Sequence, residues 1–455
     1  MIVMKFGGSS VQNEEAISRV ISIVSTRLRE KPVVVVSALA KVTRMLVEIA
    51  ETAENQNIQR VQELLGQLRR RHFDLCASLL EGEILESASA RLEQLFGSLE
   101  SFVDGVCQIG ELSPRSRARI VSTGELLSST IVAAAMNQKG IICNWADARK
   151  MVITDSNYMG ARPDLETTRA NVRREIGEAS RGADIVLTQG FIASTPEGWT
   201  TVLGFEGSDF TAAILGMALD AERVEIWTDV DGIRTADPRV VPDTQRIEAV
   251  SYDEAAEMAH LGARVLHPLT MGPARMKNIP IRVMNTMNPE GEGSWVTSAA
   301  DTADGAKSVA FFTEIDFLEV FSDAMTGTAR MLGTIMDSLR RYGVEPQIVG
   351  CSGQKVSLTF ETGQEGLSKA VEAISGDYRT VLSRDRSQLS IVGRNVARIP
   401  GLSALIVESA KVYMIAEGAD FQSISAVVDR TEVKDAVAAL HGKLFNPEEG
   451  RKAVS

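Results

Sequence analysis

Short apolar, β-branched runs alternate with amphipathic helical periods through about the first 300 residues, where apolar side chains recur three and four positions apart. Residues 2–6 form the first strand-like run, and Ile17, Val20, Ile21, Val24 and Leu28 mark one face of the helix after it. Pro32 opens VVVVS, an unbroken apolar run of the kind that forms a strand covered on both faces. Further strands are predicted at 141–145, 184–189, 223–228 and 281–284. Strands and helices alternating in this way predict an α/β fold, with a mostly parallel sheet sandwiched by helices.

The pattern breaks twice. Residues 44–113 carry one Leu- and Glu-rich helical period after another and no convincing strand, which predicts an insertion of two or three antiparallel helices. Residues 288–305 are rich in Gly, Glu, Asp, Ser and Thr and read as a linker. Beyond the linker come two weakly similar β-α-β-β-α units of about 70 residues each. The first holds LEVFS, a helix around 330–342, VEPQIVG and VSLTF. The second holds LSIVG, a helix around 399–409, VYMIAEG, ISAVV and a last helix over 433–444. A repeat this short suits a ligand pocket or a pairing surface.

Composition narrows the class. A chain of 455 residues is long enough for about three domains. Its 48 basic and 60 acidic residues give a net charge of −12, which argues against a nucleic-acid partner. The balance is uneven: residues 306–455 hold 17 basic and 19 acidic residues, and residues 51–111 hold 5 and 11. Half of the surplus therefore sits on the helical insertion and says little about a site elsewhere. No apolar run reaches the ~18 residues of a membrane span, and MIVMKFGGSS lacks the features of a signal peptide. A cytoplasmic location is expected. Cys76, Cys107, Cys143 and Cys351 are scattered and read as buried thiols, with no metal-site spacing.

Candidate chemistry clusters where strands give way to helices, the layer in which open α/β sheets bind ligands. Lys5-Phe6-Gly7-Gly8-Ser9-Ser10 couples a lysine to a Gly-Gly turn, which suits a phosphate or a merely structural turn. It is not a Walker A loop, and no GxGxxG, HRD or DFG motif occurs. Ser37, Ala38 and Thr43 follow the second strand, and Glu125 lies in VSTGELLSS at a helix start, as a cap or as a ligand contact. Ser208 and Asp209 occupy a Gly-Ser-Asp turn, where Asp209 either caps the next helix or organises Lys5. WTDVDGIRTADPR is a strand followed by a polar loop that suits an adenine-ring contact and phosphate-facing arginines. LGARVLHP adds Arg264, and a His267 whose simplest role is structural.

KFGGSSV, VVVVSALAKVT, VSTGELLSS, LTQGFIAS, GSDFTAA, WTDVDGIRTADPR and LGARVLHP, in this order, resemble the aspartate kinase family of the amino acid kinase superfamily. The two terminal units resemble its paired, ferredoxin-like ACT domains. The resemblance covers nearly the whole chain. It implies transfer of the γ-phosphoryl group of ATP, with Mg2+, to the side-chain carboxylate of L-aspartate. It implies a kinase domain over 1–300, a first ACT domain over 316–384, and a second built from 306–315 plus 385–455. It also implies a homodimer paired through the ACT domains. The insertion is that of the single-function class, and no dehydrogenase sequence follows Ser455, so a fused homoserine dehydrogenase is not expected.

Carried onto this chain, the resemblance gives Lys5 and Asp209 catalytic roles, with Asp209 orienting Lys5. Gly7, Gly8 and Ser9 would cradle phosphate, joined on the nucleotide side by Thr228, Asp229, Arg234, Asp237, Arg239 and Arg264. Ser37, Ala38, Thr43, Glu125 and Ser208 would face the substrate, with Glu125 suited to an ammonium group. Met325, Thr326, Gly327, Thr328 and Gln347 would line an amino-acid effector site for lysine or threonine. The chain departs from the family at Phe205 and Glu206, where Arg-Gly is usual and the Arg holds the substrate α-carboxylate; Arg162 is the candidate replacement. Arg264 stands for a usual Lys, Arg234 for a usual aromatic residue, and Gln347 for an acidic one. The alternatives left are a weak or inactive amino-acid-sensing homologue and a kinase of another small carboxylate.

Overall fold

Val3–Phe6 (β1) and Val33–Val36 (β2) form the centre of the sheet because they have no exposed face: all four valines of β2 are buried. The computed structural model describes residues 1–204, 207–263, 266, 268–298, 300, 303–322 and 327–445. The chain divides into two units, the first comprising Met1–Ile233, Glu248–Tyr252 and Leu266–Ala300.

In the first unit the other strands are Cys143–Ala146 (β3), Ile185–Gln189 (β4), Ile192–Ser194 (β5), Thr200–Val202 (β6), Val224–Thr228 (β7), Ala249–Val250 (β8), Ile281–Asn285 (β9) and Ser294–Val296 (β10). The main sheet runs β3-β4-β2-β1-β7-β9-β10-β8, and β5 and β6 form a separate hairpin. The six predicted strands, β3 to β9 in that order, pair in parallel, while β10 is antiparallel to β9. β10 falls inside the stretch expected to be a linker. The winding first goes from β1 to β2 and much later fills the other side with β7, so the carboxyl ends of β1 and β7 flank a switch point. Beneath it, Trp227 stacks on Phe6 at 5.9 Å, fully buried, and donates from Nε1 to Glu225 Oε2 at 3.1 Å. The buried Glu225 carboxylate is matched by Arg223.

Glu14–Ser25 (α1) starts on Asn13, whose side chain accepts from the Ala16 N–H. The insertion consists of Val42–Glu54 (α2), Ile58–Leu79 (α3) and Gly82–Ile109 (α4), sealed by Leu64, Leu68, Leu92 and Phe96. His72 is buried there, its ring edge-on to Phe96, and Nδ1 lies 2.7 Å from the Leu68 carbonyl. Burial holds His72 down to about 4, so it is a neutral packing residue at pH 7. Pro114–Val121 (α5) follows Ser113, which caps it, and Thr123–Gln138 (α6) begins one residue after α5 ends. Ala148–Met151 (α7), Leu165–Ala179 (α8) and Gly207–Leu219 (α9) complete the helices flanking the main sheet up to β7.

The second unit comprises Arg234–Ile247, Asp253–Val265 and Asp301–Ser455. Tyr252–His260 (α10) lies almost wholly in it, whereas Met271–Met276 (α11) belongs to the first unit. Its core is one antiparallel sheet of Gly305–Phe321 (β11), Ile348–Ser352 (β12), Lys355–Glu361 (β13), Arg379–Arg394 (β14), Val412–Glu417 (β15) and Ser423–Asp429 (β16). The order is β12-β13-β11-β14-β16-β15. LEVFS and the preceding SVAFFTEI are thus one strand, and β14 is one residue shorter. Register shifts between Phe312 and Phe317 divide the β11–β14 ladder. The part before the shifts pairs with residues 388–394 of β14, and the part after them also pairs with β13. Thr328–Arg341 (α12) and Leu367–Ser375 (α13) cover one half, around Met331, Ile335 and Phe360. Leu402–Ser409 (α14) and Val433–Phe445 (α15) cover the other, around Leu389, Ile406 and Val437. Cys76, Cys107 and Cys143 are buried as expected, but Cys351 is exposed, because β12 is an edge strand. Among the described residues, no helix is long and apolar enough to cross a membrane.

Candidate active site

Lys5 is the penultimate residue of β1, two positions before Gly7, with a side chain only 12% exposed. Its Nζ lies 2.5 Å from Asp209 Oδ1, and the Asp209 side chain is 7% exposed. Asp209 sits in the first turn of α9, and its carboxylate pairs with the Lys5 ammonium. A pair this far from water persists only when both charges are present.

The glycine turn is shaped by contacts on both sides. Gly7 N–H donates to the Trp227 carbonyl at 3.2 Å, and Ala40 N–H donates to the Gly8 carbonyl at 3.1 Å. A Cβ at Gly8 would stand 2.9 Å from the Ala38 carbonyl oxygen, too close for any other residue. A Cβ at Gly7 would instead point toward Lys5 Nζ at 3.6 Å. The face without a side chain is therefore the one beside the ammonium, which makes a cradle for an anion. Ser9 is half-buried in the same turn, and Ser10 Oγ lies 3.4 Å from Thr286 Oγ1, which donates to the Thr228 carbonyl.

The loop after β2 faces this turn. Ser37 Oγ donates to Ser208 Oγ at 2.7 Å, joining the end of β2 to the start of α9. Gly190, just after β4, lets α9 begin there, since a Cβ on it would fall 2.5 Å from Ser208 Cβ. The next residue, Phe191, is held at φ +68°, a strained region for a bulky side chain, with its N–H on Thr211 Oγ1. Glu125, in the first turn of α6, is 3% exposed and accepts from the Ala38 N–H through Oε1 at 3.3 Å. Its Oε2 is buried without a protein partner, and burial pushes the carboxyl up to about 8. An uncommitted buried carboxylate oxygen is a receptor for a cation, and an ammonium group fits that demand. Thr43 is half-buried in the first turn of α2, at the end of the same loop.

Arg71 was not singled out from the sequence. It projects from α3 and donates from Nη1 to the Ala40 carbonyl at 2.8 Å, while the Ala40 N–H holds Gly8. Burial lowers its pKa. One residue, Ala40, thus links the insertion to the glycine turn. Arg71→Met is expected to speed amide hydrogen exchange at Ala40 about tenfold, as loss of a charged hydrogen bond implies, with partial recovery in Arg71→Lys. Unchanged exchange would remove this role.

Other candidates fall elsewhere. Thr228 ends β7 beside the turn and donates to the exposed Asp229 at 3.2 Å. Arg162 is exposed on the loop whose Ala161 N–H reaches the Val202 carbonyl, and its own N–H donates to Asp155. No described contact joins its guanidinium to Lys5, Glu125 or Ser208. Arg234, Asp237 and Arg239 belong to the second unit. There Arg234 Nε donates to Thr244 Oγ1 at 2.6 Å, and Arg239 pairs with Asp237, which this guanidinium holds below the usual carboxylate range. Also in that unit, Gly327 and Thr328 start α12, and Gln347 keeps Oε1 buried without a partner. Phe205, Arg264, His267, Met325 and Thr326 lie outside the described residues.

Comparison with known proteins gives the arrangement its context. Residues 1–285 match the amino acid kinase family, and residues 389–444 match an ACT domain. Aspartokinase 3, chloroplastic, of Arabidopsis thaliana is 33% identical over 98% of this chain and 82% of its own length. This chain belongs to the aspartokinase branch of the amino acid kinase family. The bifunctional aspartokinase/homoserine dehydrogenase 1 of the same plant is 32% identical over 97% of this chain, which spans only 51% of that longer protein. Escherichia coli aspartokinase III, solved with aspartate and ADP, superposes with a TM-score of 0.88 at 29% identity, covering 98% of this chain and 100% of the other. The same E. coli enzyme with lysine and aspartate gives 0.82 at 30% identity, with the same coverage. Within the branch, the clustered residues of this chain are Lys5, Gly7, Gly8, Ser37, Ala38, Glu125, Ser208 and Asp209. Gly190 packs against Ser208 at the start of α9, and Arg71 holds the Ala40 carbonyl.

Proposed function

We propose that this chain is an aspartate kinase, transferring the γ-phosphoryl group of ATP to the side-chain carboxylate of L-aspartate to give 4-phospho-L-aspartate. The observation that carries this reading is the Lys5–Asp209 pair beside an open glycine cradle, across the Ala38 loop from the uncommitted oxygen of Glu125. The acceptor carboxylate is already ionised at pH 7, so the reaction needs positioning and charge neutralisation and no general base. Gly7, Gly8 and Ser9 would hold phosphate oxygens, and Lys5 would neutralise charge as it develops on the transferred group. Asp209 would fix the direction of Lys5. Glu125 would hold the substrate ammonium, flanked by Ser37, Ala38, Thr43 and Ser208, with Arg162 the available guanidinium for the α-carboxylate.

Mg2+ would arrive with the nucleotide and neutralise phosphate charge. No group of three or more acidic, His or Cys side chains among the described residues forms a resident cage, and a nucleotide-borne Mg2+ requires few protein oxygens. In the regulatory half, an effector ammonium would find the buried Gln347 Oε1, with lysine or threonine as the effector and the ACT units pairing a homodimer. The kinase domain would span 1–300, and the two ACT domains 316–384 and 306–315 plus 385–455.

Trapping acyl phosphate with hydroxylamine tests the reading. Hydroxamate should form with Mg-ATP and aspartate, and not with glutamate or N-acetylglutamate. Signal with one of the latter would identify a kinase of another carboxylate. Amino-acid binding by calorimetry without hydroxamate would identify a sensor.

A further inference from the structure

Away from the Lys5 cluster, on the far side of α6's first turn, a cavity of about 210 Å³ opens between α4, the α5–α6 junction and α7. Arg91, Arg119 and Arg149 line it together with Ser98, Ser122 and Thr123, and no acidic side chain does. Arg149 is held from the side by Asp147, which takes its Nε at 2.9 Å and Nη2 at 2.7 Å and leaves Nη1 uncommitted. Arg119 reaches Ser98 Oγ only at 3.4 Å, and Arg91 reaches Gln94 Oε1 at 3.3 Å, the Arg91 guanidinium standing 5.9 Å from the Trp145 ring. Neither Arg91 nor Arg119 has a carboxylate partner among the described residues. Burial, and then the positive charge of Arg149, both lower the Arg119 pKa, so the cavity concentrates unbalanced positive charge.

Guanidinium groups converging on a small concave space favour a compact, multiply charged anion, because each presents forked donors that match phosphate oxygens. A cleft lined by one sign of charge also raises the local concentration of such an ion. The floor is the Ser122–Thr123 kink, where both hydroxyls turn back to the Arg119 carbonyl and no side chain caps α6. The volume is below the ~300 Å³ at which drug-sized ligand pockets begin, which fits one phosphate group and excludes a whole nucleotide.

We propose that the Arg91–Arg119–Arg149 cavity is a second anion site, distinct from the glycine turn, that binds a single phosphate group, free or as the head of a small phosphomonoester. The site does not depend on the kinase reading, since none of its residues belongs to the Lys5 cluster.

Calorimetric titration of inorganic phosphate into the full chain carrying Lys5→Met/Asp209→Asn, which removes both charges of the buried pair, isolates it from the glycine turn, at fixed ionic strength with chloride as the reference anion. A dissociation constant below about 1 mM is expected. Adding Arg119→Gln or, separately, Arg91→Gln should weaken binding at least tenfold while circular dichroism stays unchanged, and Arg119→Lys should retain part of it. Glycerol 3-phosphate in a parallel titration distinguishes the sources. Tighter binding of the ester points to a phosphorylated metabolite, and tighter binding of phosphate to the free ion. Absence of phosphate binding in the folded Lys5→Met/Asp209→Asn protein, equal affinity after Arg119→Gln, or preference for malonate over both phosphates would overturn the proposal.

Discussion

Lys5→Met should lower the rate of aspartyl phosphate formation by at least three orders of magnitude, roughly the scale of removing a preorganised charge from a phosphoryl-transfer site. The effect is expected to be large because the Lys5 ammonium is the charge at the open face of the glycine turn, and Asp209 holds it from behind at 2.5 Å. The same substitution strands Asp209 as a buried, unpaired carboxylate, a loss of about 3–5 kcal/mol in comparable pairs. A fall in activity could therefore come from unfolding alone. The double variant Lys5→Met/Asp209→Asn removes both charges and should recover most of the melting temperature while remaining inactive. ADP release and hydroxamate formation measure the rate, and thermal denaturation measures the fold. A folded Lys5→Met protein turning over within tenfold of the parent would exclude the role given to Lys5.

The parts of this design that the sequence displays are those in which one local pattern has one structural meaning. β2 reads as a doubly covered strand because four consecutive valines admit no exposed face, and the structure buries all four. Lys5 and Asp209 each stand in a recognisable turn, although 203 residues separate them and only the adjacency of β1 and α9 brings them together. β5, β6, β8 and β10 escape notice because two or three residues carry no period, and β10 lies among Gly, Glu and Ser. β11 reads as two pieces because the register shifts near Phe312 and Ile315 interrupt its alternation, although hydrogen bonding continues through them. Arg71 is hidden for another reason. Within α3 it is one polar residue among many, and its importance lies in the single carbonyl it meets, which belongs to a loop 31 residues earlier. Cys351 was misjudged because burial depends on whether a strand lies at an edge, and strand order is not written in the strand itself.

Glu125 leads to the second large effect, which is a dependence on pH. Its carboxyl is pushed up to about 8 in the folded chain from 4.5 in the open one, chiefly by burial and in part offset by the Ala38 N–H. Below pH 4.5 both states hold the proton and Glu125 adds no penalty. Between 4.5 and 8 the folded state retains a proton that the unfolded state has released, so rising pH removes stability at up to about 1.4 kcal/mol per unit. Above 8 the loss is complete. Glu125→Gln has nothing to titrate, so its melting temperature should vary less with pH across that window, and at pH 8 the variant should be the more stable protein. An amino-acid ligand acts in the opposite direction, since its ammonium favours the ionised carboxylate. Binding of aspartate near pH 7 should therefore expel roughly 0.9 of a proton per site, the fraction bound by a group of pKa 8. Calorimetry in two buffers of different ionisation enthalpy reads this number directly. In Glu125→Gln the proton release should vanish and KM for aspartate should rise about a hundredfold or more, as when one partner of a buried charged pair is removed. Stability gained together with affinity lost is not what a purely structural carboxylate would give. If Glu125→Gln leaves both proton release and KM unchanged, the ammonium of the substrate is held elsewhere.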